Sequence, residues 1–160
     1  MNQIQRVALW DARFEAAFRY RYFLALKDRF ARRITVLGVA VAILSCGPLA
    51  SFFWQVGIGN LLSGTTGAIA GLLGVYLGAS GVTRTLATAT RAATEWGNAA
   101  RMLELLWTRC ESGENVWAEY LALDESLTKV DAAAIEDLRR DTRLEAAAWS
   151  QSETVLAARQ

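Results

Sequence analysis

The sequence predicts an all-α membrane protein, built from a two-helix transmembrane hairpin and a cytoplasmic helical bundle, in a symmetric homo-oligomer. The main observation is that residues 34–83 contain no Asp, Glu, Lys, Arg or His. As one continuous helix this stretch would be about 75 Å long, whereas the hydrocarbon core of a bilayer is about 30 Å thick. Two crossings joined by a tight turn fit that length, and the flanking regions show helical spacing with no strand pattern.

Residues 1–33 form the first predicted domain, a basic and aromatic cytoplasmic helix. From residue 4 to residue 31 it contains no Gly or Pro, and nothing interrupts it before the neutral stretch. Because large apolar residues recur at every fourth position, they form a ridge that winds slowly around the helix. The ridge favours packing against other helices over lying on a membrane surface. Its members are Trp10, Phe14, Phe18, Tyr22, Leu26 and Phe30.

Residues 34–83 form the second predicted domain, with helices at 34–54 and 61–83 and an outer turn at 55–60. The turn is uncharged and contains two glycines and an Asn. Basic residues lie at the other ends of both helices, so the positive-inside rule places both termini in the cytoplasm. These residues form a basic collar at the membrane edge, which could also bind lipid headgroups: Arg29, Arg32, Arg33 and Arg84.

The second predicted crossing carries a glycine stripe with spacing of three and four residues. This is a heptad pattern with glycine at both seam positions, so the stripe predicts a helix-packing seam where backbones approach closely. Alternatively, the glycines reflect only the general frequency of glycine in transmembrane helices. The seam could lie within one chain or between subunits. Its members are Gly64, Gly67, Gly71, Gly74, Gly78 and Gly81.

Two further features of this stretch suggest mobility or conduction. Gly47 and Pro48 lie in the first predicted crossing and could form a hinge, although such kinks are usually only tolerated by neighbouring helices. Since no ionisable residue occurs in the stretch, any conduction would be passive and lined by small polar groups. The candidate pore-lining residues are Thr65, Thr66, Ser80 and Thr83.

Residues 84–160 form the third predicted domain, a cytoplasmic helical region. The helix continues without interruption after Thr83, first through a Thr/Ala-rich segment and then to a stop at Gly113. A shorter helix opens at Glu114 or Asn115 and runs to about Lys129. Asp131 is the expected N-cap of the last helix.

The residues that catalysis would need are missing. The chain has no His, which excludes His-based triads and most zinc sites, and it contains no phosphate-binding glycine loop before a Lys-Ser/Thr pair. The carboxylates are expected on solvated helix faces. We therefore expect no catalytic residues, no metal, no cofactor and no direct nucleic-acid binding.

The order of these segments is similar to that of a known family. A basic aromatic helix ends in Arg32-Arg33, the neutral stretch follows, and an aromatic pattern then runs through Trp96, Leu103, Trp107, Glu111-Ser112-Gly113, Trp117 and Tyr120-Leu121. This arrangement resembles the SLATT domain family of bacterial two-transmembrane proteins from conflict and anti-phage systems. The resemblance implies a defence effector in the bacterial inner membrane that oligomerises, forms pores and arrests or kills the infected cell.

Three functional interpretations follow. In the first, the protein is an oligomeric inner-membrane effector that forms or gates a pore, with itself and the lipid bilayer as partners. In the second, it is a membrane-anchored helical adaptor that recruits a cytoplasmic partner, and in the third a holin-like hole-former. A defence-system sensor or a nucleotide second messenger is a further expected partner under the resemblance.

Overall fold

A computed structural model of the chain describes residues 2–45, 69, 71–76, 78, 81–138 and 140–157. Four long helices lie in these ranges: α1 (Gln3–Ser45), α2 (Val82–Glu111), α3 (Trp117–Asp137) and α4 (Thr142–Ala157). Residues 71–76 are also helical, and no residue in the described ranges is in a strand. The all-α class is confirmed for this part of the chain.

Helix α1 is 43 residues long and continues past residue 33, as its uninterrupted sequence predicts. Its first turn is closed by a reciprocal cap. The backbone N–H of Gln5 donates to the Asn2 side-chain oxygen at 2.8 Å, and the N–H of Asn2 donates to the Gln5 side chain at 2.9 Å. This capping box satisfies two of the backbone donors that a helix start leaves without partners.

The predicted transmembrane hairpin is wrong for the helices that the structure describes, because none of them has a stretch long and apolar enough to cross a membrane. In α1 the uncharged part covers only residues 34–45, after a first portion that carries charges throughout. In α2 charges return at Arg84, close to the helix start. The outer turn at 55–60 and most of the 61–83 helix lie outside the described residues.

Contacts divide the chain into two compact units. The first comprises residues 1–28 and 87–160, and the second comprises residues 29–86. The first unit therefore joins the start of α1 to most of α2, α3 and α4. The neutral stretch at 34–83 falls entirely in the second unit.

The predicted unbroken helix through residues 61–113 is interrupted at Gly81. This residue has a φ of +61°, in the left-handed region that favours glycine, and α2 begins at the next residue. The end of α2 agrees with the prediction. Gly113 has a φ of +93°, its N–H donates to Cys110 O, and the N–H of Glu114 donates to Arg109 O, which is the Schellman pattern of a helix C-terminus.

The boundary between the last two helices was predicted at the wrong Asp. Asp131 lies inside α3, which continues through an Ala-rich segment to Asp137. Because Ala is the strongest helix former, that segment extends the helix past the expected stop. Asp141 caps α4 instead, and its Oδ1 accepts the N–H groups of Arg143 at 3.1 Å and Leu144 at 3.2 Å.

The core of the first unit contains buried residues from all four helices. On α1, Leu9, Phe18 and Leu26 are buried. Apart from the adjacent Ala92 and Ala93, the buried residues of α2 recur at intervals of three and four, and its first half contributes alanines to this core. The Thr/Ala-rich segment therefore packs within the chain. The buried α2 residues are Ala89, Ala92, Ala93, Trp96, Ala99, Leu103, Leu106 and Cys110.

The aromatic ridge of α1 is confirmed as a packing surface. Trp10 meets Trp107 of α2 edge-to-face with ring centroids 5.3 Å apart. Phe14 and Phe18 meet Trp149 of α4 in the same way at 4.8 and 5.4 Å. Edge-to-face pairs at these separations are favourable beyond the apolar area that they bury.

Candidate functional site

The second unit exposes large apolar side chains on helical backbone. On α1, Val36, Val39 and Ile43 are each more than half exposed and recur at helical spacing, so they lie on one face. In the 71–76 segment, Leu72 is 70% and Val75 is 68% exposed. No charged residue occurs between residues 34 and 83. Exposed apolar surfaces are where contacts with protein or lipid are sought, so these side chains are a candidate site.

Three residues of the predicted glycine seam lie in helical backbone next to these side chains. At Gly71, Gly74 and Gly78, an added Cβ would meet no described atom within 4 Å. Gly81 ends the helical geometry, since its φ is positive. Gly64 and Gly67 lie outside the described residues. No described residue therefore packs against the glycine stripe at these three positions.

The structure places only part of the other predicted features. Thr83 is the second residue of α2 and is exposed. The remaining candidate pore-lining residues, Thr65, Thr66 and Ser80, and the candidate hinge at Gly47 and Pro48 lie outside the described residues.

The basic collar is on exposed helix surface of the second unit. Arg29, Arg32 and Arg33 are exposed on α1 at spacings of three and four residues, so they share one side of the helix. Arg84 is exposed in the first turn of α2. Arg33 and Arg84 thus lie directly next to the neutral stretch in sequence, with Arg32 and Arg29 shortly before it.

A charged pair inside the first unit was not predicted from the sequence. Arg13 of α1 donates through both Nε and Nη2 to the carboxylate of Glu104 on α2, with Nη2 2.7 Å from Oε1. The Arg13 side chain is only 11% exposed. Its guanidinium carbon lies 5.1 Å from the ring centroid of Trp10 and 5.9 Å from that of Trp107. The pair and the two indoles together tie α1 to α2.

A second polar cluster joins α1, α2 and α3. Arg19 forms ion pairs with Glu15 and with Asp131, each at 3.2 Å. Burial raises the pKa of Asp131, while the charge of Arg19 and the nearby Trp96 indole lower it and Glu15 raises it further. Neither the Trp96 indole nitrogen nor Asp131 Oδ1 completes a hydrogen bond with the described residues. These two buried polar atoms are therefore under-satisfied, which costs stability.

Two hydrogen bonds connect α1 with the start and the body of α4. Arg21 Nη1 donates to Ser152 Oγ at 2.7 Å, and Ser152, which is fully buried, donates to Ala148 O. The hydroxyl of Tyr22 accepts the backbone N–H of Asp141 at 3.1 Å. A buried hydroxyl is stable only when its hydrogen bonds are made, so Arg21 and Ser152 are matched partners.

Surface ion pairs hold the ends of neighbouring helices. Arg109 near the end of α2 donates to Glu114 and to Glu119 at distances from 2.7 to 3.0 Å. The hydrogen bonds from Arg109 lower the pKa of Glu119 and raise that of Arg109 itself. Arg140 likewise holds the pKa of Glu145 below its ordinary value. Exposed pairs of this type contribute little to stability, so they orient the helix ends.

Long-range pairs are invisible to local sequence patterns. The partners in Arg13–Glu104 and Arg21–Ser152 are separated by 91 and 131 residues. The sequence did contain one indication. Both arginines lie on the helix that carries the aromatic ridge, and because the ridge winds around this helix, charged and apolar residues occur on the same faces. That signal identified a packing helix but not the partners of its arginines.

Comparison with known proteins returned no match to a family model, a curated protein or a solved structure. The resemblance to the SLATT domain family, drawn from the order of segments and the aromatic pattern, therefore stays a prediction.

Proposed function

We propose that the protein is a self-assembling effector whose neutral segment contacts other copies and lipid, acting on the bacterial inner membrane in defence against phage. The single observation that carries this proposal is the exposed apolar surface of the second unit, at Val36, Ile43, Leu72 and Val75. The proposal involves contact of these faces with lipid and with other copies and does not require two crossings.

The energetic argument is direct. Burying a Val, Leu or Ile side chain that would otherwise face water is worth about 1.5–3 kcal/mol. Covering a surface that exposes several such side chains is therefore favourable in free energy. The open glycines at 71, 74 and 78 lie beside this surface and let a second helix backbone approach closely. Ring closure of identical subunits would then give a symmetric assembly.

The basic collar supports a membrane setting for this assembly. Arg32 and Arg33 are exposed and stand immediately before the neutral stretch. Arginines in such a position are attracted to anionic headgroups while the adjoining apolar face contacts the acyl boundary. Disturbance of the bilayer by many copies is the effect that we expect.

The test measures assembly and membrane damage in the same preparations. Purified protein in detergent should form a particle of more than two subunits, and the protein should release dye from liposomes that contain anionic lipid. Leu at both Gly71 and Gly74 should abolish both properties, because two bulky side chains would hold the helix backbones apart. Gly38→Leu is the matched control, since a Cβ there also meets no described atom within 4 Å. A monomeric particle with no dye release would contradict the proposal.

A second candidate function is favoured by a different observation. The first unit exposes apolar side chains on α2 and α3, among them Met102, Leu105 and Leu121. Such residues suit a helical adaptor that recruits a partner to the assembly. Self-assembly without dye release, together with loss of partner binding in Leu105→Gln, would favour the adaptor over the effector.

A further inference from the structure

A cleft of about 550 Å³ lies between α1 and α2 in the first unit. Its volume falls in the range of about 300–1,000 Å³ that is usual for small-molecule sites. Small residues form part of its lining, with Ala17 from α1 and Ala93, Gly97 and Ala100 from α2. Because these side chains are short, the two helices enclose a trough instead of a sealed seam.

The orientation of the two helices fixes the order of residues along the cleft. The Arg13–Glu104 pair closes one end, and the Trp10–Trp107 contact lies one turn beyond it. Two turns in the other direction, Tyr20 of α1 meets Gly97 of α2. The helices are thus antiparallel, and Lys27 lies two further turns along α1, about 10 Å from the level of Tyr20.

Positive charge dominates the lining. Four cationic side chains line the cleft, namely Arg13, Arg21, Lys27 and Arg101, against one carboxylate, that of Glu104. Glu104 already binds Arg13, and Arg21 donates to the neutral hydroxyl of Ser152. Within the described part of the chain, no carboxylate lies within ion-pair distance of Arg21, Lys27 or Arg101. Lys27 and Arg101 therefore have no carboxylate partner among the described residues, and Arg21 has only the neutral hydroxyl of Ser152.

An aromatic ring lies among these cations. Tyr20 is 37% exposed, and its ring is held against the backbone of α2 because residue 97 is glycine. A Cβ at that position would be only 3.0 Å from Tyr20 Cε2. Tyr20 is also one of the residues that line the cleft. The lining also includes the hydroxyl of Thr90 and the amide of Asn98, which can bond to the edge of a bound ring.

We propose that this cleft binds a nucleotide, with its phosphates on these cations and its base against Tyr20. Arginine and lysine are the usual partners of phosphate oxygens, and aromatic side chains stack on bases of any type. The combination of cations and an aromatic ring in a trough of this size matches a charged, planar ligand better than an inorganic anion alone. This inference concerns the first unit and does not depend on the function proposed for the second.

The experiment titrates the full-length protein with ATP by calorimetry, with tripolyphosphate and adenosine as partial probes. We expect ATP to bind at one site per chain, and each partial probe to bind at least about tenfold more weakly, the effect of about 1.4 kcal/mol. The double variant Lys27→Gln/Arg101→Gln should lower the affinity for ATP by about tenfold or more, since charge-assisted hydrogen bonds are lost. Arg6→Gln is the matched control, because Arg6 is exposed on α1 and outside the cleft.

Tyr20→Leu tests the contact between the base and the Tyr20 ring. It should weaken the binding of ATP without changing the affinity for tripolyphosphate. Gly97→Ala provides a second route to the same test if Tyr20→Leu does not fold, because the new Cβ displaces the ring while the fold is kept. No binding of ATP, or equal loss in Arg6→Gln and in the double variant, would overturn the proposal. Equal affinities for ATP and tripolyphosphate would also overturn it, as would tight binding of single-stranded RNA by a protein that does not bind ATP. Assembly and dye release are measured separately, so failure here is distinct from failure of the proposed function.

Discussion

Arg13 and Glu104 form a two-point ion pair between α1 and α2, although 91 residues separate them in the chain. Trp10 and Trp107 flank the guanidinium. The pair fixes the antiparallel register of the two helices, because a shift of one residue would separate the guanidinium from its carboxylate. The same register places Tyr20 against Gly97 and so shapes the cleft.

Removal of one partner of this pair should destabilise the first unit. Glu104→Gln leaves Arg13, whose side chain is only 11% exposed, without a counter-charge. We expect a loss of about 1–3 kcal/mol in the free energy of unfolding, because a partly buried charge is left uncompensated. Urea unfolding followed by Trp fluorescence measures it. Arg6→Gln serves as the exposed control, and an equal shift in both variants would show that the pair contributes nothing.

Truncation of Trp149 should loosen the contact between α4 and α1. Its indole meets Phe14 and Phe18 edge-to-face, while 48% of the residue is exposed. Since only about half of the residue is buried, we expect Trp149→Ala to cost about 2 kcal/mol, below the 3–5 kcal/mol usual for a buried Trp. Trp149→Phe should retain most of that energy.

The hydrogen bond of the same indole supplies the control. Trp149 Nε1 donates to Glu153 at 3.0 Å on the surface. Glu153→Gln should therefore change the free energy of unfolding by less than about 0.5 kcal/mol. Equal effects of Glu153→Gln and Trp149→Ala in thermal unfolding would contradict the ring contacts as the source of stability.

The substitution Gly97→Ala should show two opposing effects. Ala is favoured over Gly inside a helix by about 1 kcal/mol, but the new Cβ lies 3.0 Å from the Tyr20 ring. Because Tyr20 is partly exposed, its ring can move aside at a cost below that gain. In a Tyr20→Ala background, Gly97→Ala should raise the free energy of unfolding by the full amount of about 1 kcal/mol. In the native background the increase should be smaller. Identical gains in the two backgrounds, measured by chemical unfolding, would show that the Tyr20 contact has no cost.

The charge of Asp131 should make stability depend on pH. Burial raises its pKa in the folded protein, against the opposing charge of Arg19 and the Trp96 indole and with Glu15 adding to the rise. A raised pKa means that the contribution of Asp131 is fully present below the unfolded value of about 3.9. That contribution is lost as the pH rises through the folded pKa.

The measurement is a pH series of urea unfolding for the native protein and Asp131→Asn. The native protein should lose stability relative to the variant as the pH rises from about 4 through the folded pKa of Asp131. The surface carboxylate Glu119 should show the opposite pH dependence. Arg109 lowers its pKa, so the contribution of Glu119 to stability is lost as the pH falls. If the native protein instead becomes more stable relative to Asp131→Asn as the pH rises, the ion pair with Arg19 outweighs the effect of burial.

Local patterns predicted some features of the individual helices. The uninterrupted α1, the Schellman stop at Gly113 and the packing role of the aromatic ridge all follow from propensity and spacing within a few turns. The same reasoning failed at Asp131, because a possible N-cap inside a run of strong helix formers does not end the helix. It also failed where length and apolarity predicted a transmembrane hairpin, because no helix in the described ranges is long and apolar enough to cross a membrane.

The sequence by itself determined that the chain is helical, where its charges lie and which segment lacks them. Only the tertiary structure decided which helices meet, because contacts such as Arg13–Glu104 and Tyr20–Gly97 join residues with no shared local pattern. The cleft and its cations arise from that pairing. The physical reason is that helix formation depends on neighbours within a turn or two, whereas the register of two helices depends on side chains far apart in the chain.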